Sequence, residues 1–310
     1  MRPRDIGELL LLAAIWGASF VFMRVSVPSF GPLPLALVRV GGAVALLLPL
    51  VAINGQLGAL RAHWKPIAVI GLSNSALPFV MYGVASLVLT GGVMSIINAT
   101  TPMWGAVMVW LIVGERMTRL RIVGLAIGFA GVAWLAWHSV GTKEGAHGVS
   151  PAVAVGACLV ATFGYGLAAA LSRKWLAGVP SMASAAGSQC AAAVALVLPA
   201  ALMWPQATPS VIAWSSALAL ALLCTGIAYL LYFRLIANAG ATNATTVTFL
   251  IPAFAVLWGS VLLDEPLTAS MVAACVLILL GTALTTGLLA PRARTGPRPD
   301  DAPRRPRRGA

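Results

Sequence analysis

The sequence predicts an all-α integral membrane protein whose ten transmembrane helices form two five-helix halves of opposite orientation. Three observations carry that prediction. The first is composition: 60% of residues are hydrophobic and 9% are charged, with a mean hydropathy of +0.93, against about 25% charged in soluble domains. The second is length, because apolar runs of the roughly 20 residues needed to cross a bilayer occur ten times. The third is an internal echo at a constant offset of 150 residues. Pro102, Glu115, Thr118 and Gly131 reappear as Pro252, Glu265, Thr268 and Gly281, and Tyr82 reappears as Tyr232. The run from Ala43 to Pro49 returns from Ala193 to Pro199 with one change, Leu47 to Val197. A gap-free register among Pro, Glu and Tyr residues so far apart marks one half-domain used twice.

The predicted spans, helices 1 to 10, are 9–27, 33–52, 66–89, 92–113, 119–138, 150–171, 182–203, 211–236, 242–263 and 269–289. The first half is set at 6–138 and the second at 150–289. The first run has the length of a span, so it is expected to act as both signal and anchor. Basic residues then set the orientation. With the N-terminus inside, the cytoplasmic segments hold Arg2, Arg4, Arg61, Lys65, Arg116, Arg119, Arg121, Arg173, Lys174, Arg234 and the arginines of a tail over 291–310, whereas the outside loops hold only Lys143. The net charge of +12 is therefore a topology signal and predicts no nucleic-acid partner. Both termini are expected in the cytoplasm of a multi-pass cell-membrane protein. Five helices per half is an odd number, so the second half enters the bilayer from the side opposite to the first. Inverted repeats of this kind are the usual construction of secondary transporters, in which two similar halves exchange conformations around a central site.

The run Asn98-Ala99-Thr100-Thr101-Pro102, then Glu115-Arg116, then a helix through Gly124, Gly128 and Gly131, resembles the EamA repeat of the drug/metabolite transporter superfamily. Trp16-Gly17-Ala18-Ser19-Phe20, with Pro34 and Arg39, is similar to the start of that repeat. The resemblance spans residues 6–289 and implies a ten-helix basket whose central cavity is lined by helices 1, 3, 4, 6, 8 and 9. It also implies export of amino acids or other small metabolites. The second copy departs from the first: Thr248 stands for Asn98, Asp264 for Gly114 and Gln189 for Arg39. The two halves are thus not functionally equivalent.

In chain order, Trp16 and Ser19 of helix 1 lie one turn apart on one face, and a Trp at that depth either packs on another helix or lines the cavity. No carboxylate stands at mid-membrane in helix 1, which argues against proton exchange by a buried acid there. Arg39 falls about two turns into helix 2, where a charge costs about 2.5–3.5 kcal/mol on insertion scales. Three readings stay open. Arg39 or Arg24 pairs with Glu265 or Asp264 and locks one conformation, or each arginine caps carbonyls or reaches water, or Arg39 meets a substrate carboxylate.

Helix 3 carries Ser75, Phe79 and Tyr82, with Asn74 beside them, and helix 8 carries Thr225, Tyr229 and Tyr232 at the same offset of 150. Spacings of four and three put each set on one face, suited to a small, partly apolar substrate or to bonds between helices. Tyr165 of helix 6 joins the cavity candidates. Helix 4 brings Asn98 and Thr101 ahead of Pro102, and helix 9 brings Thr248 ahead of Pro252; each proline removes a backbone donor and is a candidate hinge or a static kink.

Glu115 and Glu265 close helices 4 and 9, with Thr118 and Thr268 placed to cap helices 5 and 10. They read as structural acids near helix N-termini, with Arg116, Arg119 and Arg121 screening the first, or as proton-coupling groups. Gly124 and Gly128 permit close packing of helices 5 and 10, within the fold or in a homo-oligomer. Trp137, Trp175, Trp204 and Trp214 sit near span ends as interface anchors. Residues 139–149 form the linker between the halves, and the tail is expected to be disordered. Cys158, Cys190, Cys224 and Cys275 are isolated, and His63, His138 and His147 are apart, so no metal site, cofactor or disulfide is predicted. The spans show no cluster of His, Asp, Glu or activated nucleophile, and the partners expected are a small-molecule substrate and the lipid bilayer. Efflux of drugs by the same fold and a non-transporting scaffold are the alternatives.

Overall fold

Each apolar run is a helix in the computed structural model, which describes residues 1–140 and 148–288. The helices are α1 (Pro3–Phe30), α2 (Pro32–Ile53), α3 (Trp64–Ser86), α4 (Gly91–Val113), α5 (Arg119–His138), α6 (Pro151–Trp175), α7 (Ser181–Leu202), α8 (Val211–Ala239), α9 (Asn243–Leu263) and α10 (Ala269–Thr286). All ten are long and apolar enough to cross a membrane, and their outward faces expose apolar side chains such as Leu111, Val194, Ile212 and Val276. No strand occurs among the described residues. The tail over 291–310 lies outside them, as do Lys143, His147 and most of the predicted linker.

The connections are short, so consecutive helices run in opposite directions, and contacts across the two halves follow the duplication. Helix α2 packs on its counterpart α7, and α5 on α10. Helix α1 packs on α9 as α6 packs on α4, and α1 meets α8 as α6 meets α3. Small residues permit these approaches. A Cβ added at Gly17 would fall 2.7 Å from Phe254 Cβ, and one at Gly166 would fall 2.6 Å from Trp104 Cβ. Positions 104 and 254 are repeat partners, so Trp104 and Phe254 perform the same packing task in the two halves. The glycine seam of α5 is used inside the fold: Gly124 and Gly128 face Gly281, whose own Cβ would meet Gly128 N at 2.5 Å.

Four local departures from the regular helix bear on the site. Both α3 and α8 contain π-helical segments at matching places, Leu72–Ala76 and Ala219–Ile227. Helix α4 is broken after Asn98 and resumes at Thr101, with Pro102 in the first turn of the resumed segment, where a missing N–H costs nothing. The Ala99 carbonyl at this break accepts the Thr282 hydroxyl at 2.9 Å. In α9 the break comes at Thr246, and Pro252 stands inside the continuous segment Val247–Leu263. The breaks of the two copies are therefore not at matched positions.

The helix ends follow capping chemistry. The Thr268 hydroxyl accepts the Met271 amide at 3.3 Å, and the Thr118 hydroxyl accepts the Arg121 amide at 3.4 Å. Gly114 ends α4 with φ 83, and its repeat partner Asp264 ends α9 with φ 52. Asp264 is thus a left-handed C-cap, a conformation that Asp tolerates better than most residues.

Candidate functional site

The two halves enclose a cavity of about 240 Å³ at their interface. Trp16 and Ser19 line it from α1, Asn74, Phe79 and Tyr82 from α3, Asn98 and Thr101 from α4, and Tyr165 from α6. Thr225, Tyr229 and Tyr232 line it from α8, and Thr248 from α9. Among the predicted residues Ser75 does not line it. Ser75 is fully buried and accepts a hydrogen bond from Gln189 Nε2 of α7 at 2.8 Å. Its neighbour Asn74, also a candidate, does line the cavity, and the wider turn of the π segment Leu72–Ala76 shifts how these residues face relative to Phe79.

Aromatic rings and amide or hydroxyl groups share the wall. Trp16 and Tyr232 have ring centroids 5.3 Å apart, and Phe20 meets Tyr82 edge to face at 5.7 Å. Tyr82 and Tyr165 stack at 6.3 Å. The Tyr82 hydroxyl donates to Asn98 Oδ1 at 2.9 Å, and Asn74 Nδ2 donates to the Tyr229 hydroxyl at 3.1 Å. Trp16 both packs on a neighbouring helix and lines the cavity.

Arg39 from α2 also lines this cavity. Neither predicted acid pairs with it. Its Nε donates to Thr225 Oγ1 at 2.9 Å, and the Thr225 hydroxyl in turn donates to the Leu220 carbonyl at 2.8 Å within the π segment. The guanidinium lies over the Phe79 ring, 3.7 Å from its centroid. The five described carboxylates, Asp5, Glu8, Glu115, Asp264 and Glu265, all stand away from the cavity lining.

Each face of the molecule carries an ion pair between the halves. At the face opposite the N-terminus, Arg24 Nε lies 3.1 Å from Glu265 Oε1, and Glu265 Oε2 accepts the Gly91 amide at 2.8 Å. Asp264 takes no part. At the N-terminal face Glu115 pairs with Arg173 of α6, not with Arg116, Arg119 or Arg121, and Lys174 Nζ donates to the Ile112 carbonyl at 3.4 Å. Position 174 is the repeat partner of 24, and 115 that of 265, so the two pairs are the same contact with a one-residue shift. They differ in solvent access: the Arg24 and Glu265 side chains are 29% and 8% exposed, those of Arg173 and Glu115 56% and 42%. Glu8 adds a tie at the N-terminal face, 2.8 Å from Arg234 Nη2.

A second cavity of about 340 Å³ opens among α3, α6, α7 and α8, lined by Ser172, Ser181, Ser184 and Ser188 near the helix ends of the N-terminal face. Asn74, Tyr165, Tyr229 and Tyr232 belong to both cavities and so stand between them. No group of three or more potential metal ligands occurs among the described residues.

Comparison with known proteins agrees with this architecture. The model of the EamA-like transporter family matches residues 6–137 and again 152–287. The chain is 31% identical over 278 residues to the uncharacterized inner membrane transporter YedA of Escherichia coli K12, covering 86% of this chain and 87% of that one. It is 27% identical to the uncharacterized transporter YvbV of Bacillus subtilis, covering 89% and 90%. It is 25% identical to a probable terminal-alkyne amino-acid exporter of Streptantibioticus cattleyicolor, covering 84% and 86%. A solved crystal structure superposes with a TM-score of 0.64 at 21% identity, over 93% of this chain and 98% of that one, which shows the shared fold. Two matched halves, ten spans and a cavity between the halves together place the chain in the EamA-like transporter family.

Proposed function

We propose that the protein is a secondary transporter that moves a small neutral or zwitterionic metabolite across the cytoplasmic membrane by alternating access, as an exporter of an amino acid or a related compound. The observation that carries the reading is the central cavity at the interface of two inverted halves, with inter-half ion pairs at both faces, Arg24–Glu265 at one and Glu115–Arg173 with Glu8–Arg234 at the other. Such pairs exchange naturally in alternating access: while one face is tied shut, the other opens. Both sets are formed here, and the better-shielded Arg24–Glu265 pair, set against the more exposed Glu115–Arg173 pair and the second cavity near the N-terminal face, supports tighter closure at the face opposite the N-terminus. The arginine distribution supports a cytoplasmic N-terminal face. The amino-acid exporter among the relatives supports the substrate class.

Counterflow tests the reading. Proteoliposomes containing the full chain are loaded with one unlabelled amino acid or metabolite, and entry of the labelled compound is followed without any ion gradient. Uptake of one chemical class, reduced in Tyr82 and Tyr232 variants that still fold, is the expected result. No exchange across an amino-acid and metabolite panel, from folded protein, contradicts it.

A further inference from the structure

Arg39 is 8% exposed, has no carboxylate partner among the described residues, and lines the central cavity. A buried guanidinium without a counter-charge is costly unless something supplies one. Of the five N–H groups of a guanidinium, the one on Nε is taken by Thr225, while Nη1 meets only the weak sulfur acceptor of Met23, at 3.8 Å. No other protein acceptor engages them among the described residues.

The duplication provides an internal control. Position 189 is the repeat partner of 39, and position 75 that of 225. Gln189 Nε2 donates to Ser75 Oγ at 2.8 Å, just as Arg39 Nε donates to Thr225 Oγ1 at 2.9 Å. The same inter-half hydrogen bond is thus made by a neutral amide in one half and by a cation in the other. The scaffold needs the bond. It does not need the charge, so the charge at Arg39 has another use.

We propose that Arg39 is the docking point for a carboxylate of the transported molecule, which makes the substrate a small carboxylic acid with an apolar or aromatic body. This rests on the transport reading and widens its substrate class from neutral and zwitterionic compounds to anionic carboxylates. A guanidinium fork matches a carboxylate in shape and charge. Phe79 fixes the plane of the fork, and Trp16, Tyr82, Tyr165 and Tyr232 offer ring surface to the body of the ligand. No carboxylate among the described residues lines the cavity, so a purely cationic ligand meets one positive charge there and no negative one. An α-ammonium group is compatible, received by oxygens such as Tyr82 Oη and Asn98 Oδ1, but it is not required. A monocarboxylate without an amino group balances the cavity charge fully.

The test uses the full-length protein and two congeneric series: phenylalanine, 3-phenylpropanoate, phenylalaninamide and phenethylamine, then leucine, 4-methylpentanoate, leucinamide and isopentylamine. Binding is read as stabilisation against thermal unfolding, and exchange as counterflow. The carboxylate members are expected to bind and the amides and amines to bind at least about 10-fold more weakly, the cost of one lost charged hydrogen-bonded pair. Arg39→Gln copies the repeat partner and is expected to fold. It should lose about 10- to 100-fold in carboxylate affinity, with Arg39→Lys between it and the wild type. The wild-type series alone decides the matter if the variant fails to fold. Amides binding as well as acids, or chloride stabilising as strongly as any carboxylate, overturns the proposal. Amides or amines that exchange while carboxylates do not leave transport standing and remove the carboxylate site. Carboxylates that bind through Arg39 but never exchange keep the site and remove transport. No binding and no exchange by any member removes both.

Discussion

Arg24 and Glu265 meet at 3.1 Å across the two halves although 241 residues separate them in the chain. Glu265 also holds the Gly91 amide, so one carboxylate ties α1, the start of α4 and the end of α9 at the face opposite the N-terminus. Glu265→Gln preserves the shape and removes the charge. It is expected to weaken that closure by about 1–3 kcal/mol, the worth of a charged hydrogen bond. In a background lacking the native cysteines, Ser19→Cys should then react faster with a membrane-impermeant maleimide added from that face. An unchanged rate would mean that the pair does not hold the face shut.

Tyr82→Phe removes the hydroxyl that donates to Asn98 Oδ1 at 2.9 Å and keeps the ring against Phe20 and Tyr165. Stability should change by only about 1 kcal/mol. Counterflow of a compound that the wild type exchanges should lose roughly 3- to 10-fold in apparent affinity. Equal affinity would remove the hydroxyl from recognition.

Gly281→Val forces a branched side chain into the α5–α10 seam, where even a Cβ would lie 2.6 Å from the Gly124 carbonyl. Overpacking of this kind costs about 1–3 kcal/mol or more, measurable as a lower unfolding midpoint in detergent. Gly105→Ala, where a Cβ would meet nothing within 4 Å, should stay within about 0.5 kcal/mol of the wild type.

Topology has its own test. Single cysteines placed at His63 and at Ser210, in the α2–α3 and α7–α8 connections, should label from opposite sides of a sealed cell, the first only after the membrane is opened. The reverse pattern would invert the orientation deduced from the arginines.

Much of this was legible in the sequence because the informative letters are rare ones. Pro, Glu and Tyr stand out in a chain of Ala, Leu and Val, so the 150-residue offset could be read without a structure. Hydroxyl and aromatic residues at helical spacing pointed to the cavity for the same reason. What escaped depends on geometry that spacing does not encode. The π segments of α3 and α8 change the angle per residue, so a count of threes and fours put Ser75 on the cavity face beside Asn74, and of the two only Asn74 lines it. The partner of Arg39 is a hydroxyl 186 residues away, and only the folded chain shows it. Its signal existed, since 39 with 225 and 189 with 75 are repeat partners, but two offset positions do not announce a contact. The break of α9 at Thr246 had no proline to announce it, while Pro252 stands inside the continuous segment Val247–Leu263, as a proline in a span can when neighbours satisfy the freed groups.

The central claim is that the cavity is reached from the two faces in turn, and a reversible lock at one face tests it most directly. Cysteines replacing Arg24 and Glu265, in a background without the four native cysteines, are bridged by a short reducible thiol cross-linker in proteoliposomes that exchange a labelled substrate. Exchange that stops on cross-linking and returns on reduction is the predicted result. Exchange that continues at the same rate with that face locked would contradict alternating access through this cavity.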